Sequence, residues 1–311
     1  MHVLNSLLPV FLIIALGKGL SRASFFSGDQ AKSLNQLTYW VLLPALLLQK
    51  ISKASFSAGA VSRISLLLIL ATLGSALLGT ILARLLRLNR RSSGAFIQGS
   101  SRSNNAFVGL PIILYSMTGL SPDIEALATL ALAPAIVFYN IYSVTVLTAY
   151  GERTQRGAAQ TVGLFAKQLL TNPLLLSCVA GLLLNALGIR FPTAVDRSLG
   201  ALGGAALALA LLSIGAALSF KGLGKGLPLS ALSSVLKVFI QPLIGLGLAL
   251  LWHLPAIDRQ ILLIYLACPT AVASYVMADI FNSDRDLAAH IIVVSTLLSV
   301  VSLTLIIALG G

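Results

Sequence analysis

Residues 102–111 read RSNNAFVGLP, and the chain on either side is almost continuously apolar. An arginine, a serine and two adjacent asparagines, followed by Gly109 and Pro111, stand inside a segment, 93–116, long enough to cross a bilayer. In hydrocarbon every backbone polar group must be satisfied internally. Helix-breaking, polar sequence at that depth is tolerated only where it is buried in protein or lines a wet cavity. The stretch therefore predicts an interrupted span, and the interruption is the first place to look for a binding site.

The rest of the chain supports a membrane setting. It has 311 residues, of which 57% are hydrophobic and 10% charged, where soluble domains carry about 25% charged residues. No long stretch is polar enough to fold alone in water, which excludes a soluble domain on one anchor. The first apolar run begins at Val3 without a basic segment before it or a small-residue cleavage site after it, and reads as a retained helix. Cys178 and Cys268 both lie in apolar runs and read as packed thiols.

Ten segments meet the length for a span of about 20 residues: 3–20, 33–52, 61–86, 93–116, 124–149, 161–187, 195–219, 227–252, 257–281 and 286–309. With both termini outside, thirteen Lys and Arg fall in inner loops and six in outer loops, as the positive-inside rule requires. The net charge of +12 thus reads as topology and not as nucleic-acid binding. Arg102 and Lys237 are left inside segments four and eight.

Segments four and nine are the weak ones. The ninth carries ACPTAVASY, 267–275, with Pro269 near its centre. Proline removes a helix hydrogen bond and clashes with the preceding turn. Four is the fourth of the first five segments, and nine the fourth of the second five. Interrupted helices at matching positions point to repeats, and an odd number of spans per repeat makes them inverted, with the binding site where they meet. The expected architecture is all-α and polytopic, with ten transmembrane helices in two inverted five-helix repeats. The repeats span 1–149 and 161–311, joined by a cytoplasmic linker at 150–160.

Seven motifs in order resemble the auxin efflux carrier family, which includes plant auxin exporters and bacterial malate or malonate permease-like members. They are LNQLTYWVLLPALLLQKIS with Asn35 and Pro44; SNNAFVGLP with Asn104, Gly109 and Pro111; Tyr139–Asn140; TNPLLLSCVAGL with Asn172–Pro173; LLSIGAAL; LKVFIQP with Lys237 five before Pro242; and CPTAVASYVMA around Pro269. The resemblance implies broken helices 4 and 9 crossing near mid-membrane, as in sodium–proton antiporters and bile-acid symporters. It also implies organic-anion transport by an elevator-like alternating-access motion, with Asn104 and Asn140 on the substrate, and a homodimer by analogy with plant members. Three departures argue against auxin itself and for a bacterial-type carrier. Ser103 stands where plant members have proline, Leu47 where they have serine, and 61–86 holds no acid.

The chemistry at the breaks fits an anion. The start of a second half-helix presents N–H groups carrying about half a positive charge, a ready anion site. If Ser103–Asn105 and Pro269, Thr270 and Ala271 begin such halves, two positive ends converge, and Asn104, Asn105 and Asn140 add amide donors. Arg102 reads either as a counter-charge to the substrate or as a side chain that snorkels or bonds carbonyls freed at the break. Lys237 reads as a structural cation offsetting the negative ends of the first half-helices, and could take the place of a coupling ion. Asp279 and His290 read as interfacial.

No acid lies at either break, which disfavours cation antiport. There is no metal-ligand spacing, phosphate loop or Ser-His-Asp set, so neither an enzyme nor a cofactor or metal is expected. The expected function is a secondary carrier of a small organic anion in the cell inner membrane, with that anion and the bilayer as its partners. A sodium- or proton-coupled carrier of bile-acid-symporter type and a non-transporting membrane sensor remain as alternatives.

Overall fold

The computed structural model describes residues 2–54, 58–117, 124–151, 163, 170–218 and 223–310. Among these, every regular element is helical. Most of the linker expected at 150–160 and the start of the sixth apolar segment lie outside the described residues.

Helix α1 is His2–Arg22. Helix α2, Gly28–Leu37, runs through a π-helical turn, Thr38–Leu42, into α3, Leu43–Ser52. Then come α4, Ala58–Leu85, and α5, Arg90–Gly99. After a break, a second π-helical turn, Asn105–Gly109, leads into α6, Leu110–Met117. Next are α7, Ile124–Tyr150, α8, Pro173–Ala186, and α9, Thr193–Ala217. Helix α10, Leu223–Val235, passes through a third π-helical turn, Leu236–Ile240, into α11, Gln241–Leu251. The last three are α12, Ala256–Ala267, α13, Ala273–Ile280, and α14, Arg285–Gly310.

Among the described residues, five helical stretches are long and apolar enough to cross a membrane: Ala58–Leu85, Ile124–Tyr150, Thr193–Ala217, Gly226–Leu251 and Arg285–Leu309. All three π-helical turns stand just before a proline, at Pro44, Pro111 and Pro242. The ring has no N–H to give and would clash with the carbonyl four residues back. A single wide turn relieves this while the helix continues, and Leu43 and Gln241 donate to the oxygens of Thr38 and Leu236, five residues back.

The chain forms two compact units. The first comprises Met1–Ser62, Ala106–Ile136 and Gln168–Leu218. Within it α1 and α9 meet backbone to backbone. A Cβ on Gly17 would stand 2.2 Å from the Leu212 oxygen, and one on Gly215 1.9 Å from the Ile14 oxygen. Small residues allow such approach where packing, not water, drives helix association. The end of α3 is capped from α8, where the Asn185 amide donates to the oxygens of Ile51, Ser52 and Ala54 at 3.2, 3.2 and 2.8 Å. Ion pairs Lys50–Glu125 and Lys53–Asp196 tie the same region. The Asn172–Pro173 pair starts α8, for Asn172 accepts from the N–H groups of Leu174 and Leu175 at 3.0 and 3.2 Å. Proline follows at the first helical position, where its missing N–H costs nothing.

The second unit comprises Arg63–Asn105, Val137–Lys167 and Ser219–Gly311. Its core packs Phe96 and Ile97 of α5 with Tyr142, Leu236, Ala278 and Ile291. Asp284 serves two helices at once, accepting from the Leu287 N–H at 3.0 Å to cap α14 and from the Ser92 hydroxyl of α5 at 2.7 Å. Both breaks lie in this unit.

Candidate functional site

Helix α5 ends where its sequence turns polar. The amide of Arg102 still reaches the Gln98 oxygen at 3.0 Å, and beyond it the chain opens. Helix α12 ends at Ala267, ahead of Pro269, which cannot donate to it. The two openings pair with each other. The Asn104 N–H donates to the Pro269 oxygen at 2.9 Å and the Ala271 N–H to the Arg102 oxygen at 3.2 Å. Ser103 and Thr270 thus form an isolated antiparallel bridge.

Each broken end leaves carbonyls without their helical donors, and side chains supply replacements. At the end of α5, Thr270 donates its hydroxyl to the Gly99 oxygen at 2.6 Å, Ser75 to that of Ser100 at 2.7 Å, and Gln241 its amide to that of Ser101 at 2.9 Å. At the end of α12, Lys237 donates its ammonium to the Leu266 oxygen at 2.6 Å and Ser302 its hydroxyl to that of Ala267 at 3.4 Å. Lys237 is 0% exposed. Its geometry is that of a cation on the negative end of a half-helix.

The donors expected for an anion are partly spent on this scaffold. The amides of Asn104 and Ala271 serve the bridge, and that of Thr270 donates to the Ser295 hydroxyl at 3.0 Å. Side chains remain. Ser103 Oγ and both amide atoms of Asn105 are buried without a hydrogen-bond partner, as are Gln98 Oε1, Gln241 Oε1 and Ser274 Oγ in the same unit. Buried polar atoms are almost always paired with protein or water, so such a group is a candidate contact for a ligand. Asn104, Pro269 and Ala271 are buried beside them.

Arg102 is 7% exposed and does not snorkel. Its guanidinium donates to the Ser143 hydroxyl at 3.0 Å and touches the Met277 sulfur, which also accepts from the Gln98 amide. Helix α7 presents Tyr139, Tyr142 and Ser143 to this region. Tyr139 and Thr72 hydroxyls are 3.2 Å apart, and those of Tyr142 and Ser101 are 2.5 Å apart. Asn140 is half-buried on the same helix, and its three-residue separation puts it beside Ser143 on the helix surface.

Asp279 is exposed and pairs with Arg285 at 3.4 Å, as an interfacial acid would. His290 is buried against Gly226, where a Cβ would stand 2.5 Å from its Nδ1. Sequence reasoning missed the supporting hydroxyls of Thr72, Ser75, Ser295 and Ser302, together with Gln241. A signal was present. Buried Ser65, Thr72 and Ser75 recur at helical spacing on apolar α4, as do Ser295, Ser299 and Ser302 on α14.

The sequence profile of the family described as "Membrane transport protein" matches residues 2–307. An uncharacterized transporter of Methanothermobacter thermautotrophicus is 25% identical over 307 residues, covering 97% of this chain and 96% of that protein. One from Methanocaldococcus jannaschii is 23% identical over 315 residues, covering 99% and 97%.

Proposed function

Since the chain belongs to the membrane transport protein family, the auxin efflux carriers, we propose that it is a secondary carrier of a small organic anion, a dicarboxylate such as malate or malonate or an aromatic carboxylate. Ten spans in two inverted repeats, 1–149 and 161–311, carry both termini on the outer face of the cell membrane, and transport proceeds by elevator-type alternating access. A homodimer is the working assembly.

The observation that carries the anion reading is the charge at the bridged breaks. Two buried cations, Arg102 and Lys237, stand with unpartnered hydroxyl and amide groups of Ser103 and Asn105. All nine acidic residues lie elsewhere in sequence, the one nearest the second break being Asp279. Amide and hydroxyl donors with a nearby guanidinium hold a carboxylate. Asn104 and Asn140 are the side chains we assign to substrate, with Ser103, Asn105, Thr270 and Arg102 around them. The test is flux of malate, malonate and an aromatic acid in proteoliposomes. Asn104→Ala and Asn140→Ala are expected to abolish flux while the protein stays monodisperse. Unchanged uptake in both would remove them from the site.

One observation favours a second reading, coupling to sodium. Five unpartnered buried side-chain oxygens, on Gln98, Ser103, Asn105, Gln241 and Ser274, are hard ligands of the type a small cation takes. Flux that survives complete replacement of sodium excludes it.

A further inference from the structure

The second unit has a concavity on its apolar helices, outside the bridge itself. A groove of about 450 Å³ lies between α11, α12 and α14. Along the π-helical turn and α11 it runs from Val238 to Leu250, twelve residues or about 18 Å. The hydrocarbon of one leaflet is about 15 Å deep, half of a ~30 Å core. The groove thus has the length of one leaflet. Its walls are mostly apolar, and Leu243, Leu250, Leu305 and Leu309 are exposed along it.

One end carries charge. Arg259 lines the groove one turn into α12. The neighbouring carboxylate, Asp258, is engaged by Arg63 at 3.8 Å. The Arg259 guanidinium has no hydrogen-bond or ion-pair partner among the described residues, and the residue is half-buried. Trp252, in the turn between α11 and α12, is exposed at the same end, and tryptophan marks the headgroup level of a bilayer. The other end reaches the machinery of the second break. Val238 and Phe239 belong to the π-helical turn that carries Lys237, and Ser302 donates to Ala267 at the end of α12.

We propose that this groove holds an anionic phospholipid, one acyl chain along α11 and the phosphodiester on Arg259. Shape sets the chain, because an apolar slot one leaflet deep and open to the bilayer fits it. Charge sets the headgroup, because an arginine without a carboxylate takes a phosphate bidentately, and at an interface it favours a lipid whose phosphate charge no choline cation cancels. The chain's far end then rests on the turn whose lysine caps the broken helix.

The test uses the full chain in nanodiscs of equal dioleoyl-phosphatidylglycerol and dioleoyl-phosphatidylcholine. Retained lipid is counted by native mass spectrometry after release into mild detergent. Phosphatidylglycerol is expected to be retained about fivefold over phosphatidylcholine, the preference one arginine gives at an anionic surface. Arg259→Gln should bring the ratio to parity and Arg259→Lys should restore most of it. Leu246→Trp, which narrows the groove at its middle, should reduce the retained lipid; if that variant does not fold, the Gln and Lys pair decides. An unchanged ratio in Arg259→Gln overturns the proposal. So does equal retention of both lipids by the native chain, or a dimer that Leu246→Trp dissociates, since a second copy would then cover the groove.

Discussion

Replacing Thr270 with valine removes one hydroxyl and keeps the size and β-branching of the side chain. That hydroxyl is buried and donates to the Gly99 oxygen at 2.6 Å, a carbonyl left open by the end of α5. Leaving such an acceptor unpaired costs ~1–3 kcal/mol. The cost falls on the bridge, because Thr270 is the bridged residue and its neighbours carry both backbone bonds. The equilibrium for local opening should rise by about 5- to 150-fold, the range those energies span. Hydrogen–deuterium exchange reads this directly at the amides of Asn104 and Ala271, whose acceptors lie across the bridge. Thr304→Val is the control, for its hydroxyl bonds the Val300 oxygen in the exposed part of the same unit, and it should leave these amides unchanged. If Thr270→Val leaves their exchange as slow as in the native chain, side-chain capping does not hold the two breaks together and the account of the site fails.

Two further outcomes follow from the same geometry. Lys237→Met takes the donor from the Leu266 oxygen in a fully enclosed place; since losing a buried charge offsets part of the lost bond, melting in detergent should fall by only a few degrees while proteoliposome flux is lost, and full flux would refute the lysine's part in the site. Gly215→Val puts a Cβ 1.9 Å from the Ile14 oxygen and 3.0 Å from the Lys18 nitrogen, both backbone, so overpacking of ~1–3 kcal/mol or more should cost the monodisperse peak in size-exclusion chromatography, whereas Gly204→Val on the same helix meets nothing within 4 Å and should run as the native chain.

What was legible in the sequence was where helices cannot continue. Arg102 to Asn105 and Pro269 each contradict the apolar run around them, and the structure breaks at both. Lys237 was legible for the same reason, a charge with no loop to sit in. The pairing of the breaks was not, because residues about 165 positions apart exchange backbone bonds, and backbone bonds leave no residue-type signature. For that reason the amides of Asn104, Thr270 and Ala271 were expected to be open and are engaged instead. The hydroxyls that cap the carbonyls were missed because serine and threonine are commonplace in apolar helices. Only their spacing on one face gives them away. The burial of His290 was not legible either, because it depends on the absence of a side chain at Gly226, which makes room for the ring.

The bridge between Ser103 and Thr270 has a consequence for how sequences of this kind can vary. Extended backbone turns successive side chains to opposite sides, so Arg102 and Asn104 share one side and Ser103 takes the other. Deleting or adding a single residue between Gly99 and Asn105 would exchange those sides at a stroke, sending the amide where the hydroxyl was. Substitution at any one of these positions alters one group; a change of length alters all of them. Spacing, more than residue identity, is what descent can least afford to lose here.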